Sequence, residues 1–328
     1  MDDLIIGRRI GSGAQSEVRL GELPDGPVAV KIGLASGAVA IVREAAVLSM
    51  MSGVAGFPRL LHHEPAGPDT PGGALVLELL GPSLNDVRVI GNERQGERQG
   101  ERQGERQGAS VAGQVLVRVG ARVLRLLEQL HLAGFVHNDL KPANLLLEAT
   151  ERPGTVLSPP AASAVRLIDF GSCTRLPGRG LGGGGGADGA FARAAQVGGP
   201  IGTLRFASVA ADECNAPLAR ATDATDDVES LVYCLVQLAA GRLPWDGAPA
   251  ERATALKREL LTSADAAAAL TEGVGCAATA AALRALHAEV RRCRRERSPA
   301  GAAAAGGVRV DYEACLAALE QAQSAELS

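Results

Sequence analysis

His137-Asn138-Asp139-Leu140-Lys141-Pro142-Ala143-Asn144, followed later by Leu167-Ile168-Asp169-Phe170-Gly171, decides how this chain is read. The first stretch places a carboxylate, an ammonium and an amide in one short loop, at Asp139, Lys141 and Asn144. The second sets another carboxylate after an apolar strand. Such a set suits phosphoryl transfer, in which an acceptor aims a hydroxyl at a terminal phosphate, magnesium takes hard oxygen ligands, and cations meet the developing charge. A surface turn and an unrelated strand end would explain either stretch alone. The D-F-G tripeptide recurs by chance; the two stretches together, in this order, carry the information.

Working outward toward the N-terminus, apolar β-branched residues at 4–10 and 17–20 flank Gly11-Ser12-Gly13-Ala14-Gln15-Ser16, which reads as strand, turn, strand. Glycines let a hairpin backbone approach phosphate oxygens and offer its N–H groups to them. An ordinary Gly-rich hairpin has the same look, and Ser16 stands where G-x-G-x-x-G has its third glycine. Val28-Ala29-Val30-Lys31 is a strand ending in a lysine, and a helix expected from about Val39 to Met51 carries Glu44. Either charge alone reads as a solvated surface group. Their order after a Gly-rich hairpin favours a pair in which the glutamate steadies a phosphate-holding ammonium. Leu75-Val76-Leu77-Glu78-Leu79-Leu80 is an apolar strand running into Gly81-Pro82-Ser83.

Between that strand and the first stretch, Glu-Arg-Gln-Gly occurs four times in succession, starting at 93. The repeat bears no apolar residue and has glycine at every fourth position, so 92–108 is expected to be a flexible insertion. Helical spacing returns over 115–132, where Val119, Val123, Leu126, Leu127 and Leu130 form one apolar face. Short strands are expected at 145–147 and 165–168, which lets Asp139 and Asp169 converge at one cleft. Beyond Gly171, the segment 178–201 contains an unbroken glycine run, 182–186, and no Ser, Thr or Tyr. Order there would be costly, and its centre offers no hydroxyl to phosphorylate. The nearest hydroxyls are Ser172, Thr174 and Thr203.

Composition bounds the answer. The 328 residues can bury one large two-lobed fold or two ordinary domains, and 46% hydrophobic residues against 2% aromatic ones imply a core of Leu, Val and Ala. A net charge of -4 argues against nucleic acid or a membrane surface as dominant partner. No apolar run reaches the ~20 residues of a membrane span. Six cysteines at irregular spacing, without a C-x-x-C pair or a readable signal segment, lead us to expect reduced thiols and an intracellular protein, cytoplasmic or nuclear.

The chain resembles the casein kinase I group of eukaryotic Ser/Thr protein kinases. The resemblance rests on the two stretches above together with Leu79-Leu80-Gly81-Pro82-Ser83-Leu84, Gly202-Thr203-Leu204-Arg205-Phe206-Ala207-Ser208, Asp226-Asp227-Val228-Glu229-Ser230-Leu231 and Leu243-Pro244-Trp245. It implies an α+β, two-lobed protein kinase fold: a small β-rich lobe over 1–80 and a larger, mainly helical one over 81–328, with flexible insertions at 91–110 and 177–200. It implies ATP and Mg2+ as cofactors and protein hydroxyls as substrates, acidic or already phosphorylated ones among them. Asp139 would accept the substrate proton, Lys141 would stabilise the transferring group, and Asn144 and Asp169 would hold the metal. The ATP-binding set would be Ile10, Gly11, Ser12, Gly13, Val18, Ala29, Lys31, Glu44, Leu77, Glu78, Leu80 and Asp169. Thr203 and Arg205 would serve substrate recognition, with Lys257 or Arg258 near a second basic position. Asp227 would bond the catalytic loop from beneath.

One departure stands out. Where such kinases have His-Arg-Asp, this chain has His137-Asn138-Asp139, so the arginine that would clamp an activation-segment phosphate is missing. With the hydroxyl-free segment, this leads to the expectation of an enzyme not switched by phosphorylation there. The competing reading, from a different class, is a weak or inactive kinase-fold scaffold. Retention of Lys31, Glu44, Asp139, Lys141, Asn144 and Asp169 favours the enzyme.

Overall fold

The computed structural model describes residues 3–89, 102–176, 202–213, 221–296 and 309–327. Its first part is a five-stranded antiparallel sheet in the order β1-β2-β3-β5-β4, formed by β1 (Ile5–Ser12), β2 (Ser16–Leu23), β3 (Gly26–Gly33), β4 (Leu60–Glu64) and β5 (Ala74–Glu78). Residues directly opposite in an antiparallel pair share a face. The register pairs Val18 with Lys31, Ala29 with Leu77 and Lys31 with Leu75, so Val18, Ala29, Lys31, Leu75 and Leu77 share one face. The opposite face buries Val28, Val30 and Val76 in a small separate cluster. Helix α1 (Ala38–Met50) follows, and Ile41, Glu44, Ala45 and Leu48 recur at helical spacing on its buried side.

The second part is helical and built on α2 (Arg102–Leu132). Val119, Val123, Leu126, Leu127 and Leu130 are all fully buried, as their spacing requires. After the short α3 (Pro159–Ser163) and α4 (Val209–Asp212) comes α5 (Ala224–Ala240), which packs against α2. A capping box between Asp223 and Asp226 starts α5, and Gly241 in the left-handed region ends it. Then follow α6 (Ala250–Thr262), α7 (Ala264–Leu270), α8 (Ala277–Glu296) and α9 (Tyr312–Leu327), the last lying on α2 and α8. The few aromatics are spent at junctions. Phe57 meets Phe170 at 5.7 Å between ring centroids, and Tyr233 meets Trp245 edge-on at 4.7 Å.

Two short ladders hold the motifs between the halves. Strand β6 (Phe135–Val136) pairs with β9 (Thr174–Arg175), and β7 (Leu145–Leu146) pairs with β8 (Arg166–Leu167). The two-lobed α+β fold expected from the sequence is therefore present.

Two expectations need correction or restriction. Helix α2 begins at Arg102 rather than near Val115, so 102–108 is helical backbone. Glu, Arg and Gln are good helix formers, and each glycine costs only about 1 kcal/mol relative to Ala once a long buried helix propagates through it. Repeat residues 92–101 and the glycine-rich segment 178–201 lie outside the described residues, as does Cys214. The thiols of Cys173, Cys234, Cys293 and Cys315 are unbridged and buried.

Candidate active site

The catalytic-loop candidates converge. Asp139 accepts a hydrogen bond from Thr203 Oγ1 at 2.8 Å and one from Lys141 Nζ at 2.7 Å, while Lys141 also donates to Thr203 Oγ1 at 3.0 Å. Asn144 turns its amide nitrogen to the Asp139 carbonyl at 2.8 Å, which leaves its amide oxygen as the group available to a cation. The loop is closed by a 3₁₀ turn over Pro142–Asn144, where the proline ring presets the backbone. Gly202 sits at φ +81°, and a Cβ there would lie 2.4 Å from the Asn138 carbonyl oxygen; only glycine lets this segment approach the loop so closely.

On the sheet side, Lys31 is buried, with its ammonium 2.5 Å from Glu44 Oε2 and 2.7 Å from Asp169 Oδ1. Burial works to lower the Lys31 pKa, but Asp169 and then Glu44 outweigh it, and the ammonium is held more firmly than usual. Burial likewise works to raise the Asp169 pKa, but Lys31 wins and takes it from 3.8 down to about 2. Asp169 is thus anionic at neutral pH. Its backbone sits at φ 69°, ψ 72°, and its position is set through the preceding residue: Ile168 N donates to the Asn144 carbonyl at 3.1 Å, and His137 Nε2 meets the Ile168 carbonyl at 3.0 Å.

Beneath the loop lies Asp227, fully buried near the start of α5. It accepts the backbone N–H of His137 at 2.7 Å and that of Asn138 at 2.8 Å. Its carboxyl is held low: burial opposes the charge, but His131, hydrogen-bonded to it, and then His137 prevail. Asn138 adopts φ 69°, a conformation that Asn tolerates far better than most side chains. Its amide nitrogen donates to the Ser172 carbonyl at 2.9 Å and to Thr174 Oγ1 at 3.0 Å, tying the loop to the chain after Gly171.

The remaining candidates are less uniform. Ile10 is exposed on β1, and Gly13 N donates to Ser16 O at 2.8 Å, closing the glycine hairpin. Gly11 lies opposite Val18, with Ser12 opposite Glu17. Glu78 points its carboxylate to Arg59 N at 3.0 Å and to Arg166 Nη1 at 3.2 Å; the Arg166 guanidinium also holds Glu148 at 3.0 Å. Leu80 is partly buried beside Gly81, whose N–H donates to the Leu147 carbonyl at 2.9 Å.

Arg205, expected at the substrate side, is paired with a carboxylate. Its guanidinium is engaged in both arms by Asp246, Nε to Oδ1 at 2.7 Å and Nη2 to Oδ2 at 2.6 Å. A carboxylate placed on this fork neutralises it before any acidic substrate arrives. Lys257, expected near a basic substrate contact, is fully buried and donates to the carbonyls of Leu204 and Ala207 and to Asp212. It supports the 203–208 platform from inside. Arg258 is paired with Glu213. Sequence inspection did not find Asp246, which follows Trp245 without any motif to flag it, nor His131.

The donor set suits a nucleotide-bound divalent cation. Among the described residues no group of three or more His, Cys, Asp or Glu could hold a metal alone. Magnesium characteristically takes one or two carboxylate or amide oxygens and completes its shell with phosphate and water, and the Asp169 carboxylate with the Asn144 amide oxygen offers that number.

A family model described as the protein kinase domain matches residues 5–266. The chain belongs to the protein kinase family. It is similar to the casein kinase 1-like protein HD16 of Oryza sativa subsp. japonica, 32% identical over 201 residues, which is 58% of this chain and 22% of that protein. It is also similar to a probable serine/threonine-protein kinase of Dictyostelium discoideum, 30% identical over 129 residues, 39% of this chain and 22% of that one. The matched stretches thus span about a fifth of the length of these curated relatives. Protein kinase domains in general use ATP and Mg2+. Among the described residues no helix is long and apolar enough to cross a membrane.

Proposed function

We propose that this domain transfers the γ-phosphate of ATP to Ser or Thr hydroxyls of proteins, in the manner of the casein kinase I group, with one lobe over 1–80 and the other over 81–328. The observation that carries the reading is the closed set Asp139, Lys141 and Thr203. Asp139 is the acceptor that orients a substrate hydroxyl and takes its proton, while the Lys141 ammonium, 2.7 Å from that carboxylate, stands ready for the charge that develops on the transferring group. Lys31, steadied by Glu44, positions the α- and β-phosphates. Asn144 and Asp169 hold the metal, which neutralises phosphate charge when bound. Ile10, Val18, Ala29, Leu77 and Leu80 form the adenine slot, with Gly11, Ser12 and Gly13 above the phosphates.

Asn138 supports activity without phosphorylation of the activation segment. It fills the position of a phosphate-clamping arginine with a neutral amide that already binds Ser172 and Thr174, so the catalytic loop and the following chain are joined by an ordinary hydrogen-bond network. The Arg205 to Asp246 pair supports a weaker preference for acidic or phosphorylated substrates than the resemblance alone suggests. The compartment we propose is intracellular, with proteins rather than nucleic acid as partners. Transfer of labelled phosphate to casein and to an acidic Ser peptide tests the activity, with Asp139→Asn as the control.

A further inference from the structure

The buried carboxylate of Asp227 has a third partner besides the two loop amides. His131, at the end of α2, reaches it with Nε2 at 2.7 Å. The other nitrogen of the same ring, Nδ1, meets the hydroxyl of Tyr312, the first residue of α9. Asp227 is fully buried and His131 nearly so. Both ring nitrogens of His131 thus have partners, the Asp227 carboxylate at Nε2 and the Tyr312 hydroxyl at Nδ1, and the two together fix the ring orientation.

Tyr312 is itself anchored. The preceding Asp311 caps α9 through Ala314 N at 2.9 Å, and its own N–H donates to Glu289 Oε1 at 2.7 Å on α8. Glu289 is in turn gripped by Arg292 at 2.7 Å. Hydrogen bonds therefore tie α8 to Asp311, the backbone carries the link on to Tyr312, and hydrogen bonds resume through His131 to Asp227 and end on the amides of His137 and Asn138. Those two amides lead into Asp139, at the one turn of the loop that holds a non-glycine residue at positive φ.

We propose that Tyr312 is a positioning residue for the catalytic loop, acting through His131 and Asp227, so that docking of the C-terminal helix sets the order of the loop. Its consequence for turnover rests on the kinase reading above; the hydrogen-bond coupling does not. Burial, with the Asp227 charge adding to it, pushes the Tyr312 phenol pKa up, so the hydroxyl stays protonated.

Tyr312→Phe removes the hydroxyl while keeping the ring. Amide hydrogen exchange on the whole chain, under conditions where reclosing is fast, reads the coupling directly. The expected result is about fivefold faster exchange at His137 and Asn138, the population change that loss of one ordinary hydrogen bond corresponds to, with no change along Val228–Leu238 of α5. In the phosphotransfer assay kcat should fall about fivefold, while KM for ATP stays within twofold. Exchange at 137 and 138 equal to the parent would overturn the proposal. So would a uniform rise that includes α5, since that marks general loosening. A parent without phosphotransfer would sink the kinase reading and leave the exchange result to decide the coupling.

Discussion

At the scale of single residues, Asn138 shows how a substitution inside a familiar motif acquires a physical meaning. Its φ of 69° costs a Cβ-bearing residue about 1–2 kcal/mol unless the side chain compensates locally, and the amide does so through Ser172 and Thr174. Asn138→Ala should therefore lower stability by about 2 kcal/mol in denaturant unfolding. Asn138→Gly, which loses the bonds but not the backbone tolerance, should cost about 1 kcal/mol less than Ala; equal costs would show that the left-handed backbone carries no strain. Asp169 gives a pH signature. Its carboxyl titrates at about 2 in the folded protein against 3.8. The stabilisation from its charge is then complete above pH 3.8 and drains away as pH falls toward 2. Melting temperatures of the parent and Asp169→Asn should converge across that window; a constant gap would contradict the pairing with Lys31. The charged groups were legible in the sequence because short motifs bring them together locally. Asp246 was not, because the arginine it neutralises lies 41 residues away and nothing in either position announces the other.

At the scale of elements, four of the five strands and helix α1 could be read from the sequence while β4, short and carrying two histidines and a glutamate, could not, and the register placed Val18, Ala29, Lys31 and Leu77 on one face. The start of α2 was not legible. Glycine at every fourth position reads as a helix breaker, yet the helix whose buried side includes Val115 and Val119 has a backbone that begins already at Arg102. On this account the repeat does no catalytic work, and deleting 92–108 should leave phosphotransfer within about twofold. A collapse of activity would show that the N-terminal end of α2 supports the cleft. Helix α5 is a different case, since its capping box sets the place of Asp227 four residues on. Asp223→Ala should cost about 1 kcal/mol, read as a lowered melting temperature with the rest of the fold intact.

At the scale of the whole molecule, the sheet half contributes Lys31 and Glu44, the helical half contributes Asp139, Lys141, Asn144 and Thr203, and Asp169 joins them through its bond to Lys31. Fold and reaction class could be inferred early because this division is written in the order of the motifs. The link from α9 to the catalytic loop could not, since His131 and Tyr312 lie 181 residues apart and no periodicity relates them. Regulation follows from the same arrangement: with an amide where a phosphate clamp would be, phosphatase treatment should leave activity essentially unchanged, and a large loss would contradict that. Releasing Arg205 by Asp246→Asn should lower KM for an acidic peptide severalfold at little change for a neutral one. The most direct measurement remains the transfer of labelled phosphate from Mg-ATP to casein or a Ser peptide by the parent and by Asp139→Asn. The account predicts transfer by the parent and a loss of about 10²-fold or more in the variant; equal signal from both would contradict it.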